Sequence, residues 1–173
     1  AYLQAVVNPD DTVAVRRVLN TPRRGIGDRA QAALAAHADR HGISFGEALA
    51  DTMEGSTRPV EGISARAAAS AAQFWGLLQE LRELDQQGEK PAAILEKALD
   101  ETGYLAGLRA SQDPQDASRV DNLAELVSVA EDFANEGSVE TPNLAAFLER
   151  VALVADADQL PLESERRGQV TLM

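Results

Sequence analysis

Between Ser64 and Gln87 the apolar residues Ala67, Ala71, Phe74, Leu77, Leu78, Leu81 and Leu84 recur at intervals of three and four. That spacing gathers them on one face of an α-helix, whereas a strand would need strict alternation. A helix with one apolar stripe is stabilised mainly by what covers the stripe. The chain must therefore supply further helices, and it does.

Ala1 to Val7 is an uncapped apolar run that reads as the tail of a helix begun upstream; Asn8-Pro9-Asp10-Asp11 breaks it and offers a cap for the next. Val13 to Asn20 is predicted as a short helix, with Val15, Val18 and Leu19 inward and Arg16 and Arg17 outside. Asp28 to Arg40 is alanine-rich, with Ala30, Ala33, Leu34 and Ala38 on one face, and Gly42 ends it. Ser44 and Glu47 form a capping-box pattern before Phe45, Ala48 and Leu49. Residues 52–62 read as a loop, Ser64 caps the long helix, and Gly88 stops it. Pro91 suits the first turn of a helix carrying Ile94, Leu95, Ala98 and Leu99, closed by Gly103. Tyr104, Leu105 and Leu108 continue as a shorter turn of helix, and residues 111–116 read as a polar loop.

Ala117 to about Ala134 repeats the helical stripe through Val120, Leu123, Leu126, Val127, Ala130 and Phe133. After a loop over 135–140, Thr141 is expected as a cap and Pro142 as the first helical residue, with Leu144, Phe147, Leu148, Val151 and Ala152 inward. Residues 155–169 read as a charged linker, and Gln169 to Met173 as the start of a β-strand. The expectation is an all-α, compact multi-helix domain over 1–155, with 156–173 as linker and beginning of a strand. Such a unit reads as an insertion between two elements of a larger domain.

Chemistry of several kinds lacks its residues. There is no cysteine, so neither a disulfide framework nor a thiolate metal site is available. No apolar run is long enough to span a membrane, and no secretory pattern opens the sequence. His37 and His41 lie four apart on one helix without an evident third ligand, and read as solvated residues. No Gly-Lys-Ser or Gly-Lys-Thr loop is present to hold a nucleotide phosphate. Asp156 with Asp158, and Glu163 with Glu165, lack the spacing of a calcium loop and read as solvated charge. Trp75 reads as a packing residue rather than a base-stacking platform.

The stretch from Asn20 to Arg29 stands apart. Pro22 breaks the preceding helix. Gly25 and Gly27 flank Ile26, which can pin a tight turn onto the core and leave amides outward, just ahead of the helix starting near Asp28. Such amides, together with the positive end of the helix, form an anion site, and Arg23, Arg24 and Arg29 add charge suited to phosphate. The stretch looks like a helix–hairpin–helix turn that grips a nucleic-acid backbone. It also fits a glycine turn with solvated arginines.

The net charge of −12 argues against nucleic acid until its distribution is considered. Residues 1–41 hold six arginines and four aspartates, a net of +2, while the remaining ten basic and twenty-four acidic residues give −14. Between Arg16 and Arg29 five arginines face one aspartate. An acidic body with one basic patch can orient on a phosphate backbone. Equally, the acidity serves solubility or a protein partner.

Several segments together resemble the UvrD/PcrA/Rep-type superfamily 1 DNA helicases. The run Tyr2-Leu3-Gln4 followed by Asn8-Pro9-Asp10-Asp11 looks like one of their helix entries. Arg17-Val18-Leu19-Asn20-Thr21-Pro22-Arg23-Arg24-Gly25-Ile26-Gly27 is similar to their arginine–proline–Gly-Ile-Gly segment. Thr102-Gly103-Tyr104 is similar to a third segment, Arg119-Val120-Asp121-Asn122-Leu123-Ala124-Glu125-Leu126 to a fourth, with Asp121 where glutamate is commoner, and Phe147 to Leu153 to a fifth. Val170 to Met173 is similar to the strand before their next motif. The matches keep their order along almost the whole chain. The alanine and arginine richness resembles high-GC actinobacterial members.

The resemblance implies subdomain 2B, an all-helical insertion in the second RecA-like domain, 2A. It implies a regulatory element that rotates and touches duplex or junction DNA, in a cytoplasmic, nucleoid-associated protein acting in DNA repair. It assigns backbone contacts to Thr21, Arg23, Arg24, Gly25, Ile26, Gly27 and Arg29, with Arg16 and Arg17 extending the track. It leaves this chain without catalysis or cofactor, ATP and magnesium belonging to the other helicase subdomains. Its rival is an interaction module whose acidic faces around Asp121–Glu136 meet a repair-protein partner or a second copy.

Overall fold

A computed structural model describes residues 1–136 and 142–159; the expected cap at Thr141 and the strand at 169–173 lie outside the described residues. Nine helices are found among the described residues: α1 (Tyr2–Val7), α2 (Thr12–Leu19), α3 (Asp28–His41), α4 (Phe45–Ala50), α5 (Ala65–Gln86), α6 (Pro91–Glu101), α7 (Tyr104–Ala110), α8 (Pro114–Asn135) and α9 (Leu144–Gln159).

Local chemistry sets most of their ends. The Asp11 carboxylate accepts from the backbone N–H groups of Val13 and Ala14 and starts α2. Both halves of the Ser44–Glu47 capping box are formed at α4, and Ser64 accepts from Ala67 at α5. Each such cap replaces an orphan donor's lost partner and is typically worth about 1 kcal/mol.

The structure departs from the sequence expectation in two helices. The segment 111–116 is not wholly a loop, because α8 begins at Pro114. Asp113 caps it by accepting from Gln115, and Pro114 occupies the first position, where a missing N–H costs nothing. Helix α9 begins at Leu144 rather than Pro142, with the Asn143 side chain accepting from Ala146 at 2.9 Å. It runs to Gln159, beyond the expected end near 155, since no glycine or proline interrupts the chain before Pro161.

Helix α5 lies at the centre, packing on α1, α4 and α6. Its stripe of Ala67, Ala71, Phe74, Leu78 and Leu81 is buried, as its spacing requires. Helix α8 packs on α6 and α7, and α9 reaches back to α1. The α5 and α9 ends are tied directly: the Asp85 carboxylate accepts from the backbone N–H of Leu144 at 2.8 Å.

Close packing at α4 depends on one glycine. A Cβ at Gly46 would stand 2.4 Å from the Pro9 carbonyl oxygen and 3.3 Å from Cζ3 of Trp75. Trp75 is half-buried against the core.

His37 corrects another expectation. It is buried at 2% exposure, not solvated, and its Nε2 lies 2.9 Å from Oδ2 of Asp51, itself 9% exposed. Ser56 donates to the other Asp51 oxygen at 3.0 Å, and Arg58 Nε stands 3.2 Å from Oδ2. Helix α3 is thereby fastened to the end of α4 and to the loop beyond it. Burial works to raise the Asp51 pKa; the bonds from His37 and Ser56 and the charge of Arg58 outweigh it and hold the carboxyl below its usual range. His41 remains exposed, its ring 4.5 Å from that of His37.

Candidate nucleic-acid interface

The turn between α2 and α3 is pinned from within by one carboxamide. Oδ1 of Asn20 accepts from the backbone N–H of Arg24 at 2.8 Å and of Ile26 at 3.3 Å. Ile26 is fully buried, and Gln31 of α3 donates to its carbonyl at 3.2 Å. Gly25 sits at φ +80°, where a side chain would strain the backbone. The Thr21–Pro22 peptide is cis.

With the Arg24 and Ile26 amides claimed, those of Gly25 and Gly27 have no acceptor among the described residues. The same holds for Asp28 and Arg29 in the first turn of the 14-residue α3, whose N-cap Gly27 offers no side chain. All four residues are exposed. A Cβ at Gly25 or Gly27 would meet nothing within 4 Å, so the backbone is open from outside. Open amides at the positive end of a helix favour an anion. The Asp28 carboxylate, in the same turn, offsets part of the local positive charge.

Four arginines lie in this turn or on the helices that flank it. Arg16, Arg17, Arg23 and Arg29 are exposed, and among the described residues none is paired with a carboxylate. The Arg16 guanidinium rests 5.5 Å from the centre of the Phe45 ring. Thr21 is exposed, but its hydroxyl proton is committed to the Arg17 carbonyl at 3.3 Å.

Arg24 is placed otherwise than its neighbours and otherwise than expected of a phosphate contact. The two hydrogens of its Nη1 are shared among the carbonyls of Val18 (3.0 Å), Leu19 (3.2 Å), Thr21 (3.0 Å) and Pro22 (3.3 Å). Its Nη2 donates to Tyr2 Oη at 2.7 Å and reaches the Thr102 carbonyl at 3.4 Å. The guanidinium also lies 5.2 Å from the centre of the Phe74 ring. It neutralises the carbonyl-rich end of α2 and binds the turn to α1, α5 and the end of α6. The Tyr2 hydroxyl in turn donates to the Thr21 carbonyl. Burial pushes the Tyr2 pKa up, against a smaller opposing effect of Arg24, so the phenol stays a neutral donor.

Asn20, Tyr2 and Thr102 were not recognisable as parts of this site from composition or periodicity. The Thr102 hydroxyl donates to the Ala98 carbonyl at 2.6 Å and accepts from the Tyr104 N–H at 3.2 Å, fixing the sharp α6–α7 corner whose carbonyl meets Arg24. The Tyr104 ring lies 6.4 Å from that of Tyr2. Three segments distant in sequence thus converge behind the turn. Among the described residues no group of three or more histidine, cysteine or acidic side chains is placed to hold a metal, and no helix is long and apolar enough to cross a membrane.

Over residues 1–173 the chain matches a family model described as the UvrD-like helicase C-terminal domain. It is similar to the ATP-dependent DNA helicase UvrD1 of Mycobacterium tuberculosis (strain ATCC 25618 / H37Rv), with 46% identity over 187 residues, covering 100% of this chain and 23% of that protein. UvrD1 of Mycobacterium leprae (strain TN) is 43% identical over 192 residues, covering 100% of this chain and 24% of that protein. The ATP-dependent DNA helicase PcrA of Bacillus subtilis (strain 168) is 34% identical over 176 residues, covering 100% of this chain and 23% of that protein. The chain thus spans less than a quarter of the length of these relatives.

Proposed function

The chain belongs to the UvrD-like helicase C-terminal domain family, and on that premise we propose that it is the helical subdomain with which a DNA-repair helicase holds the backbone of duplex or junction DNA. One observation carries this reading. Amides without an acceptor among the described residues and exposed arginines with no carboxylate partner there share a single pinned turn. The role is mechanical and regulatory. A subdomain inserted in a RecA-like domain, and rotating on it, would engage DNA in some orientations and release it in others. ATP and magnesium belong to the remainder of such a helicase, since residues 1–173 contain no Gly-Lys-Ser or Gly-Lys-Thr loop.

The geometry of the turn supports a division of labour among its residues. Gly25 and Gly27 offer N–H groups to one phosphate, with Ile26 as the anchor beneath. Arg23 and Arg29 flank them, and Arg16 and Arg17 continue the track along α2. Arg24 acts through the others by fixing the turn. Phosphate contacts of this kind position a duplex without reading its sequence.

The test is fluorescence anisotropy with labelled duplex, junction and single-stranded DNA. It compares the chain with an Arg23→Glu/Arg29→Glu variant shown by circular dichroism to be folded. About three phosphate contacts correspond to a slope of about −2.7 in log affinity against log salt. Loss of duplex and junction binding in the variant supports the reading. Duplex binding that ignores salt, or survives both substitutions, overturns it.

A further inference from the structure

An apolar groove with a charged border lies between α8 and α9. Leu126, Val129 and Phe133 of α8 and Val151 and Val154 of α9 line a groove of about 530 Å³. Phe133 is the buried floor, its ring 5.6 Å from that of Phe147. Among the described residues the walls are not covered: Val129 is 44% exposed and Val154 53%. Two of the five exposed large apolar side chains among the described residues therefore line this groove.

The rim is acidic. Glu125, Asp132 and Glu136 border the groove, and its one cation, Arg150, stands 3.6 Å from Glu136 and is partly neutralised by it. Positions 126, 129 and 133 of α8 form an apolar row, and 125 and 132 with the C-cap Glu136 an acidic row beside it, both at helical spacing. From Asn122 to Glu136 the groove follows α8 for about 21 Å. An exposed apolar patch with a charged border is the mark of an interaction surface. A linear apolar row is the form that receives an amphipathic helix.

We propose that the α8–α9 groove docks an amphipathic helix of a partner protein, one presenting apolar anchors at i, i+3, i+4 and i+7 between lysines or arginines. The charge decides the occupant. Nucleic acid and acidic helices are repelled by Glu125, Asp132 and Glu136, whereas a basic helix meets opposite charge along the α8 side of its apolar row. The groove and the arginine turn lie on different helices, so the two surfaces can be occupied together.

The probe is an 18-residue leucine–lysine peptide with leucines at those positions, titrated into the isotopically labelled chain and followed by amide chemical shifts. A peptide with glutamate in place of lysine is the control. The expected shifts are confined to residues 122–136 and 144–154. The glutamate peptide binds at least tenfold more weakly. Val129→Arg/Val154→Arg, at exposed positions, weakens the lysine peptide at least tenfold with an unchanged circular dichroism spectrum. Glu125→Lys/Asp132→Lys weakens it as well, without touching the apolar floor. Equal binding of the two peptides overturns the proposal. So do shifts spread over the acidic body that neither pair of substitutions alters, absence of binding at low salt, or a sedimentation profile showing the groove already closed by a second copy of the chain.

Discussion

Arg24 Nη2 donates to Tyr2 Oη over 2.7 Å, joining a turn residue to the first helix across twenty-two positions of sequence. The bond sets Arg24 apart from Arg23. One guanidinium is spent inside the fold; the other faces outward.

The two adjacent arginines should therefore respond oppositely to substitution. Arg24→Gln is expected to destabilise the chain by about 2–3 kcal/mol, because a charge-assisted set of bonds is lost and several carbonyls lose a donor. Tyr2→Phe should cost about 1 kcal/mol, and a double-mutant cycle should show the two effects to be coupled. Arg23→Gln should stay within about 0.5 kcal/mol of the parent. Urea denaturation followed by circular dichroism measures all three.

In DNA binding the order reverses in kind. Arg23→Gln and Arg29→Gln are each expected to reduce the steepness of the salt dependence by about 0.9, one phosphate contact apiece. If Arg24→Gln removed a similar increment while leaving the melting temperature untouched, the bracing role would be wrong. Anisotropy titrations between 50 and 200 mM salt, about the range over which such slopes are resolved, suffice.

The glycines separate by the same logic. Gly46→Ala should cost about 1–3 kcal/mol, since its Cβ would press on the Pro9 carbonyl, and relief requires α4 and the α1–α2 connection to move apart. Gly25→Ala should cost about 1–2 kcal/mol through its positive φ alone. Gly27 has an extended backbone and open space around it. Gly27→Ala should change stability by no more than about 0.5 kcal/mol, yet weaken DNA binding if its amide meets a phosphate. Thermal melts beside DNA titrations distinguish the three.

Acid should loosen the α3–α4 junction. Asp51 is held below the usual carboxylate range in the folded chain. As pH falls, the unfolded chain takes up the proton first. The stabilisation is complete above the ordinary aspartate value of about 3.9 and is lost as pH drops through the lower, native value. Asp51→Asn should flatten the melting temperature in that acid range and lower it at neutral pH. A variant as acid-sensitive as the parent would remove Asp51 as the source.

Much of the fold was legible because helix ends are decided locally. Ser44, Ser64 and Pro91 act on residues within one turn of themselves, and their neighbours can be read directly. The start of α8 was misplaced although Asp113-Pro114 is an equally local signal; the polar run around it masked the cap. The turn between α2 and α3 is legible in outline for the same reason, since Gly25, Ile26 and Gly27 declare it. What stayed hidden depends on distant partners. Arg24 meets Thr102 across seventy-eight positions, and His37 meets Asp51 across fourteen. Neither separation follows from periodicity, so the sequence suggests Arg24 as a phosphate contact and His37 as a surface residue. Asn20 was hidden differently: a carboxamide after a helix reads as an ordinary terminator until its two backbone donors are seen.

The close approach of Trp75 to Gly46 has an optical consequence. The chain holds a single tryptophan, so its emission comes from one place, where α4 meets α5. Its spectrum reports whether that junction is closed, and a red shift on Gly46→Ala would register its opening before the helices melt. The arginine turn contributes no indole of its own. A ligand at the turn that changed this emission would have to do so through the intervening core, making the native fluorophore a gauge of strain passing through the body of the domain.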